Sequence, residues 1–282
     1  MRVVLIGAYG QLGSDLLPLL GEDVAPLGHE DLDITRADDV AARLEQIGPE
    51  LVINAAAYNL VDQAEREPEV AYAVNALGPR NLALACAEID AALLHVSSDY
   101  VFGQDAERTT PYSETDAPGP LSAYAVSKLA GEYFVRSLCP RHFVVRTCGL
   151  YGKAATRAKG NFVETMLRLG GERDTLSVVN DQRCTPSWTG DVARAIVAIL
   201  ETREYGLYHA TNSGSMTWFE FAAEIFRQSG TQVELRPITT AEFGAAAKRP
   251  AHSVLACRKL AEATGNELPP WQEALAKYLA GR

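Results

Sequence analysis

The five cysteines of this 282-residue chain include no Cys-x-x-Cys pair. Cys86, Cys139, Cys148, Cys184 and Cys257 are scattered, with no close histidine pair to complete a metal site. That argues against structural zinc and a disulfide framework, and for reduced thiols in a cytoplasmic protein. Long apolar runs are missing too. None approaches ~20 residues, so no membrane-spanning helix is expected. The opening seven residues lack the apolar region and cleavage site of a signal peptide. Positive charge is also scarce, with 26 lysines and arginines against 36 acids and a formal net charge of −10. A nucleic-acid partner is disfavoured. An anionic ligand must find a helix N-terminus or a local group of cations.

What the chain does have is alternation. Segments 3–6, 51–54, 92–97 and 143–147 are short and apolar on both faces, as doubly buried strands are. Helical patterns over 12–20, 38–47, 69–89 and 123–138 separate them. This order predicts an α/β fold, a doubly wound parallel (Rossmann) sheet with helices on both faces. Beyond residue 149 the pattern loosens. Strand-like 176–179 and 207–210 are interspersed with helical 191–201, 218–228 and 271–279. The expectation is a dinucleotide-binding core over 1–149, rejoined by parts of 185–210, and a mainly substrate-binding region over 150–282.

The first motif is Gly7-Ala8-Tyr9-Gly10-Gln11-Leu12-Gly13, between the first strand and the first helix. A pyrophosphate needs a tight turn, close backbone approach and free N–H groups at a helix start, and glycines at these spacings provide them. Many strand–helix turns contain glycines; being the first turn of the chain favours the phosphate reading. The strand 24–27 ends at Gly28-His29 with no acid to accept from a ribose 2′-hydroxyl, although Glu30 and Asp31 follow. No arginine stands there to clamp a 2′-phosphate. NADPH is favoured, and NADH stays open. Asp33-Ile34 suits the adenine edge, and Ala55-Ala56-Ala57-Tyr58 a nicotinamide-side wall; helix–strand packing explains the alanine run nearly as well.

The second motif joins Ser98, at the end of a central strand, to Tyr124 and Lys128. Residues four apart share one helix face. An ammonium near a phenol favours the phenolate, which lets the phenol exchange a proton with a carbonyl or alkoxide. Ser98 can donate to the same oxygen. Tyr-x-x-x-Lys alone is common on solvated helices, and its place after a dinucleotide turn and a strand-end serine sets this one apart.

Together these residues resemble the extended short-chain dehydrogenases/reductases, most closely the dTDP-4-dehydrorhamnose reductase family. The resemblance runs over nearly the whole chain. It includes Leu32-Asp33-Ile34-Thr35, Val52 to Tyr58, Asn75, Ser98-Asp99-Tyr100-Val101-Phe102, Tyr124 to Glu132, Gly160-Asn161-Phe162, Asp181-Gln182 and Arg249-Pro250. It implies reduction of dTDP-4-dehydro-L-rhamnose at C4 by NAD(P)H. Tyr124 would give the proton, and Lys128 would hold the nicotinamide ribose. Ser98, where the family usually has threonine, would orient the 4-keto oxygen. Ser98, Asp99, Tyr124 and Arg249 would touch the nucleotide sugar. Asn75 matches an asparagine often tied to proton relay, or is a buried capping amide. A homodimer is compatible, and no metal is called for.

One departure stands out. The family's Arg-Thr-Ser-Trp-Val-Tyr-Gly appears as Arg146-Thr147-Cys148-Gly149-Leu150-Tyr151-Gly152, so Gly149 replaces a tryptophan that would contact the sugar. Two small cation groups, in 153–160 and at Lys248-Arg249, are candidates for the substrate diphosphate, with solvated loop charge equally good for the first. Sister epimerases or dehydratases share the Ser/Tyr/Lys set, and a regulatory subunit like the methionine adenosyltransferase β-subunit resembles the family without its chemistry.

Overall fold

The computed structural model describes residues 1–154 and 160–282. Of the first cation group, Arg157 and Lys159 lie outside the described residues. Six strands form one all-parallel sheet: β1 (Val3–Ile6), β2 (Val24–Leu27), β3 (Leu51–Asn54), β4 (Ala92–Ser98), β5 (His142–Thr147) and β8 (Gly206–His209). Their order is β2-β1-β3-β4-β5-β8, so the winding reverses between β1 and β3. Open α/β sheets bind ligands at such a point, outside the carboxyl ends of the strands. Pro26 cannot donate to a ladder, which suits its place on the edge strand β2.

Alternation along the strands fills two cores. Val3, Leu5, Leu94, Phe143 and Val145 pack towards α1 (Gln11–Leu16), α8 (Thr189–Thr202) and α11 (Arg258–Thr264). Val4, Ile6, Val52, Leu93 and Val144 pack towards α2 (Ala37–Ile47), α5 (Gly78–Glu88) and α6 (Ala123–Leu138). Burial of each such side chain contributes about 1.5–3 kcal/mol. A third core lies among α7 (Phe162–Glu172), α9 (Trp218–Ser229) and α12 (Trp271–Ala280). Here β6 (Thr175–Val179) pairs in parallel with β10 (Glu234–Ile238), and β7 (Arg183–Cys184) antiparallel with β9 (Met216–Thr217).

Two expected helices are interrupted. The pattern over 12–20 is α1 followed by a 3₁₀ turn, Leu17–Leu19, because Pro18 has no N–H and its ring collides with an α-helical continuation. The pattern over 69–89 is α4 (Pro68–Tyr72), a π turn (Ala73–Leu77) and then α5; the four-residue α3 (Val61–Ala64) precedes them. The wide turn pushes the Asn75 carbonyl against α6, where a Cβ on Gly131 would lie 2.2 Å from that oxygen. A tertiary contact outweighs the uniform helical propensity of the alanine-rich segment. The short α10 (Thr240–Phe243) and strand β10 were not anticipated; the Glu-Leu-Arg-Pro-Ile of β10 has no strong apolar alternation.

Gly13 fixes how α1 meets the first turn. A Cβ there would lie 2.2 Å from the Gly7 carbonyl oxygen and 2.8 Å from Ala8 backbone atoms, which cannot move like a side-chain end. Gly13→Ala should cost about 1–3 kcal/mol through overpacking, read as a lower denaturation midpoint. An unchanged midpoint would remove this tight approach from the account of the fold.

Candidate active site

Helix α6 opens at Ser122, whose hydroxyl accepts from Ala125 N at 3.2 Å. That cap sets Tyr124, Lys128 and Glu132 one turn apart, on the side of α6 towards β4. Lys128 is buried, and its Nζ donates to the Val96 carbonyl on β4 at 2.8 Å. It has no other acceptor among the described residues, so two of its N–H bonds are left for a ligand. Burial pulls the Lys128 ammonium down to about 8, with Glu132 opposing.

The half-buried Tyr124 differs from the expectation. Burial pushes its phenol up to about 12, and only the neighbouring Ser98 hydroxyl works the other way. The Lys128 ammonium is not among the groups that act on the phenol, so the expected lowering is absent. Without ligands, Tyr124 is therefore a protonated acid at neutral pH.

Ser98 ends β4. Its Oγ donates to Asp99 Oδ1 at 3.2 Å and accepts from Tyr100 N at 3.2 Å. Asp99 is turned inward, where the Ser253 hydroxyl donates to Oδ2 at 2.6 Å and the Cys148 thiol adjoins it. Burial raises this carboxyl to about 6 against those hydrogen bonds. The Tyr100 ring meets Tyr124 edge-on at 5.8 Å. Arg249 adjoins Tyr100 and is held by Asp62, with Nη2 to Oδ2 at 2.7 Å. On β5, in register with Ser98, Thr147 has a buried hydroxyl with no partner among the described residues.

The first turn offers backbone. Gly7 has φ +76°, and a Cβ there would lie 2.8 Å from Ala56 N, so the turn and the Ala55-Ala56 backbone touch. Gly10 caps α1 without a side-chain bond, which leaves the first N–H groups of the helix open. The Leu12 side chain belongs to the core. Gln11 reaches out, its Oε1 accepting from Gly152 N at 3.0 Å and Asn161 Nδ2 at 2.9 Å. Asp33 accepts from Thr35 N and Oγ1, and Ile34 packs on Gly78. Ala57 is exposed, while Tyr58 N and O are pinned by the Asn75 amide. Asn75 also donates to Ser127 Oγ at 3.1 Å, so it caps no helix terminus. At the end of β2 the structure supplies an acid the strand itself lacks: Asp31 folds back so that its Oδ2 accepts from Gly28 N at 2.7 Å.

Sequence reasoning missed the support beneath these groups. Glu132 accepts from Ser97 Oγ at 2.5 Å, Arg146 Nε at 2.9 Å and Arg146 Nη2 at 2.7 Å, all in the interior. A charged residue in the apolar strand Phe143-Val144-Val145-Arg146 was the signal, since buried charge needs a partner.

Comparison with known proteins follows the same lines. The model for the RmlD substrate binding domain matches residues 1–281. The chain belongs to the RmlD substrate binding domain family. A dTDP-4-dehydrorhamnose reductase of Aggregatibacter actinomycetemcomitans is 40% identical over 99% of this chain and 98% of that one. A probable dTDP-4,6-dihydroxy-2-methyloxan-3-one 4-ketoreductase of Streptomyces antibioticus is 41% identical over 98% and 93%. The crystal structure of the Bacillus anthracis dTDP-4-dehydrorhamnose reductase in complex with NADP superposes with a TM-score of 0.94 at 41% identity, over 100% of this chain and 99% of that one. No helix among the described residues is long and apolar enough to cross a membrane.

Proposed function

We propose that this protein is an NADPH-dependent reductase of the 4-keto group of a dTDP-deoxysugar, converting dTDP-4-dehydro-L-rhamnose to dTDP-L-rhamnose. The observation that carries this reading is the meeting of Ser98, Tyr124 and Lys128 at the carboxyl end of β4, beside the crevice where the winding reverses. The crevice fits a dinucleotide: an open helix start at Gly10, a turn too close-packed for side chains at Gly7 and Gly13, and free Lys128 donors. Gly7, Gly10, Gln11, Leu12 and Gly13 would hold the pyrophosphate, Asp33 and Ile34 the adenine side, and Ala55, Ala56, Ala57 and Tyr58 the nicotinamide side. When bound, the nicotinamide supplies a hydride.

The protein's own work is proton delivery. Tyr124 keeps its proton until negative charge develops on the sugar O4, then gives it up. Ser98, turning its hydroxyl from Asp99, would donate to that oxygen and hold it beside the phenol. Lys128, with two N–H bonds open, would hold the nicotinamide ribose. Arg249 would pair with the diphosphate in exchange for Asp62. Residues 1–149 with parts of 185–210 are read as the cofactor half, and 150–282 mainly as the sugar-nucleotide half. Five free cysteines suit a cytoplasmic enzyme, and a homodimer is compatible with the fold.

Consumption of NADPH with purified dTDP-4-keto sugars tests the reading. The set should include the 2-methyloxan-3-one substrate type, given the Streptomyces antibioticus relative. Tight retained cofactor without net consumption would favour an epimerase or dehydratase instead. Inactivity on every keto sugar, with a larger enzyme co-purifying, would favour a regulatory subunit. NADPH should be used at least as well as NADH. Asp31→Ala removes an anion at the β2 end, where a 2′-phosphate would sit, and should raise the NADPH-to-NADH ratio of kcat/KM by about tenfold, a charge–charge effect of about 1–2 kcal/mol. An unchanged ratio would place the 2′ group elsewhere.

A further inference from the structure

The carboxyl end of β5 lies beside Ser98, since Thr147 is in register with it and the next residue, Cys148, adjoins Asp99. Gly149 follows, exposed and at φ +49°, so no side chain shields this edge of the crevice. The place a side chain would take at 149 is filled by the edge of an indole. A Cβ at position 149 would lie 3.1 Å from Trp218 Cη2 and equally near Pro186 Cα. Trp218 is held there firmly. Its backbone follows the β7–β9 pairing of Arg183 with Thr217, and a capping box between Thr217 and Glu220 fixes the start of α9. Its ring leans on Phe162 at 4.7 Å and 47°, with Phe221 behind at 6.4 Å. Yet Trp218 and Phe162 are only half-buried, unlike Phe221, which belongs to the core.

A large aromatic surface left partly open, fixed on several sides and set next to bare backbone beside catalytic groups, is a ready wall for an apolar ring face. A hexose with its C4 oxygen at Tyr124 carries C–H bonds on its ring faces, and a 6-deoxy sugar adds a methyl group. We infer that Trp218 forms the aromatic wall of the sugar pocket and that Gly149, having no Cβ, lets the indole edge stand against the end of β5 beside the catalytic groups. This rests on the nucleotide-sugar reading above and assigns a specificity-determining residue to that site.

The test compares two ligands by calorimetric titration of the whole protein with NADP⁺ present: dTDP, which has no sugar, and dTDP-L-rhamnose. Trp218→Ala should weaken dTDP-L-rhamnose about tenfold and leave dTDP unchanged. Trp218→Phe keeps an aromatic ring and the α9 packing, so it should fold as the wild type and lose severalfold. A sugar-dependent change in tryptophan emission should disappear in Trp218→Phe although Trp188 and Trp271 remain. Equal loss of both ligands, or undiminished affinity for dTDP-L-rhamnose in both variants, would overturn the wall assignment while leaving the reductase reading in place. A wild-type protein that binds neither ligand would overturn the reductase reading and this inference with it.

Discussion

Tyr124→Phe should lower kcat by about 10²–10⁴-fold, the usual contribution of a positioned general acid, with little change in cofactor affinity. The ring and its edge-on contact with Tyr100 are kept, and only the hydroxyl is deleted. Lys128→Met should lose both rate and cofactor affinity, because it removes the charge and the free N–H donors together. The pH profile separates the roles. With the phenol pushed up to about 12 and the ammonium down to about 8, Tyr124 stays protonated over the range in which free Lys128 loses its charge. The kcat/KM of the wild type should therefore hold below about pH 8 and fall as pH rises through it, and Lys128→Met should lack that falling limb. Steady-state kinetics with a dTDP-4-keto sugar decides. Near-normal turnover in Tyr124→Phe would require another acid.

Glu132→Ala should be the most damaging single change to the fold. It would leave Arg146, buried against Phe102 and His209, without its carboxylate. Breaking a buried pair from one side costs about 3–5 kcal/mol. At roughly 2–4 °C per kcal/mol, near the range for a chain of this size, Tm should fall by roughly 6–20 °C. Replacing both partners, as Glu132→Leu with Arg146→Met, should recover much of that loss, since the stranded charge is gone. Thermal denaturation of the three proteins checks this. A single variant as stable as the wild type would mean that water or another acid reaches Arg146.

The features legible in the sequence were those fixed locally. The glycine turn, the doubly buried strands and the four-residue step from Tyr124 to Lys128 depend on neighbours in the chain, and local pattern reads such neighbours well. What the sequence hid depends on contacts across the fold. The π turn exists because Asn75 meets Gly131, 56 residues on by the numbering. Asp31 becomes the acid of β2 only once a turn brings it back to Gly28. The Tyr124 phenol rises because protein surrounds it, whereas spacing alone had suggested a lowering by Lys128. Trp218 stands at the start of a helical pattern, and nothing local links it to Gly149, 69 residues away by the numbering.

Gln11 has one further consequence. Its single carboxamide oxygen receives hydrogen bonds from Gly152 and Asn161, so the first glycine turn is tied to Gly152 and to the residue that caps α7. A shift of the turn strains both bonds at once, and a shift of Gly152 or Asn161 pulls on the turn. On the reading proposed above, cofactor and sugar nucleotide bind on either side of this link. Whatever factor the first ligand applies to the affinity of the second, the second must return to the first, because the free-energy cycle closes. Order of addition in a binding experiment becomes a matter of rate alone, and the ternary complex is the same by either route.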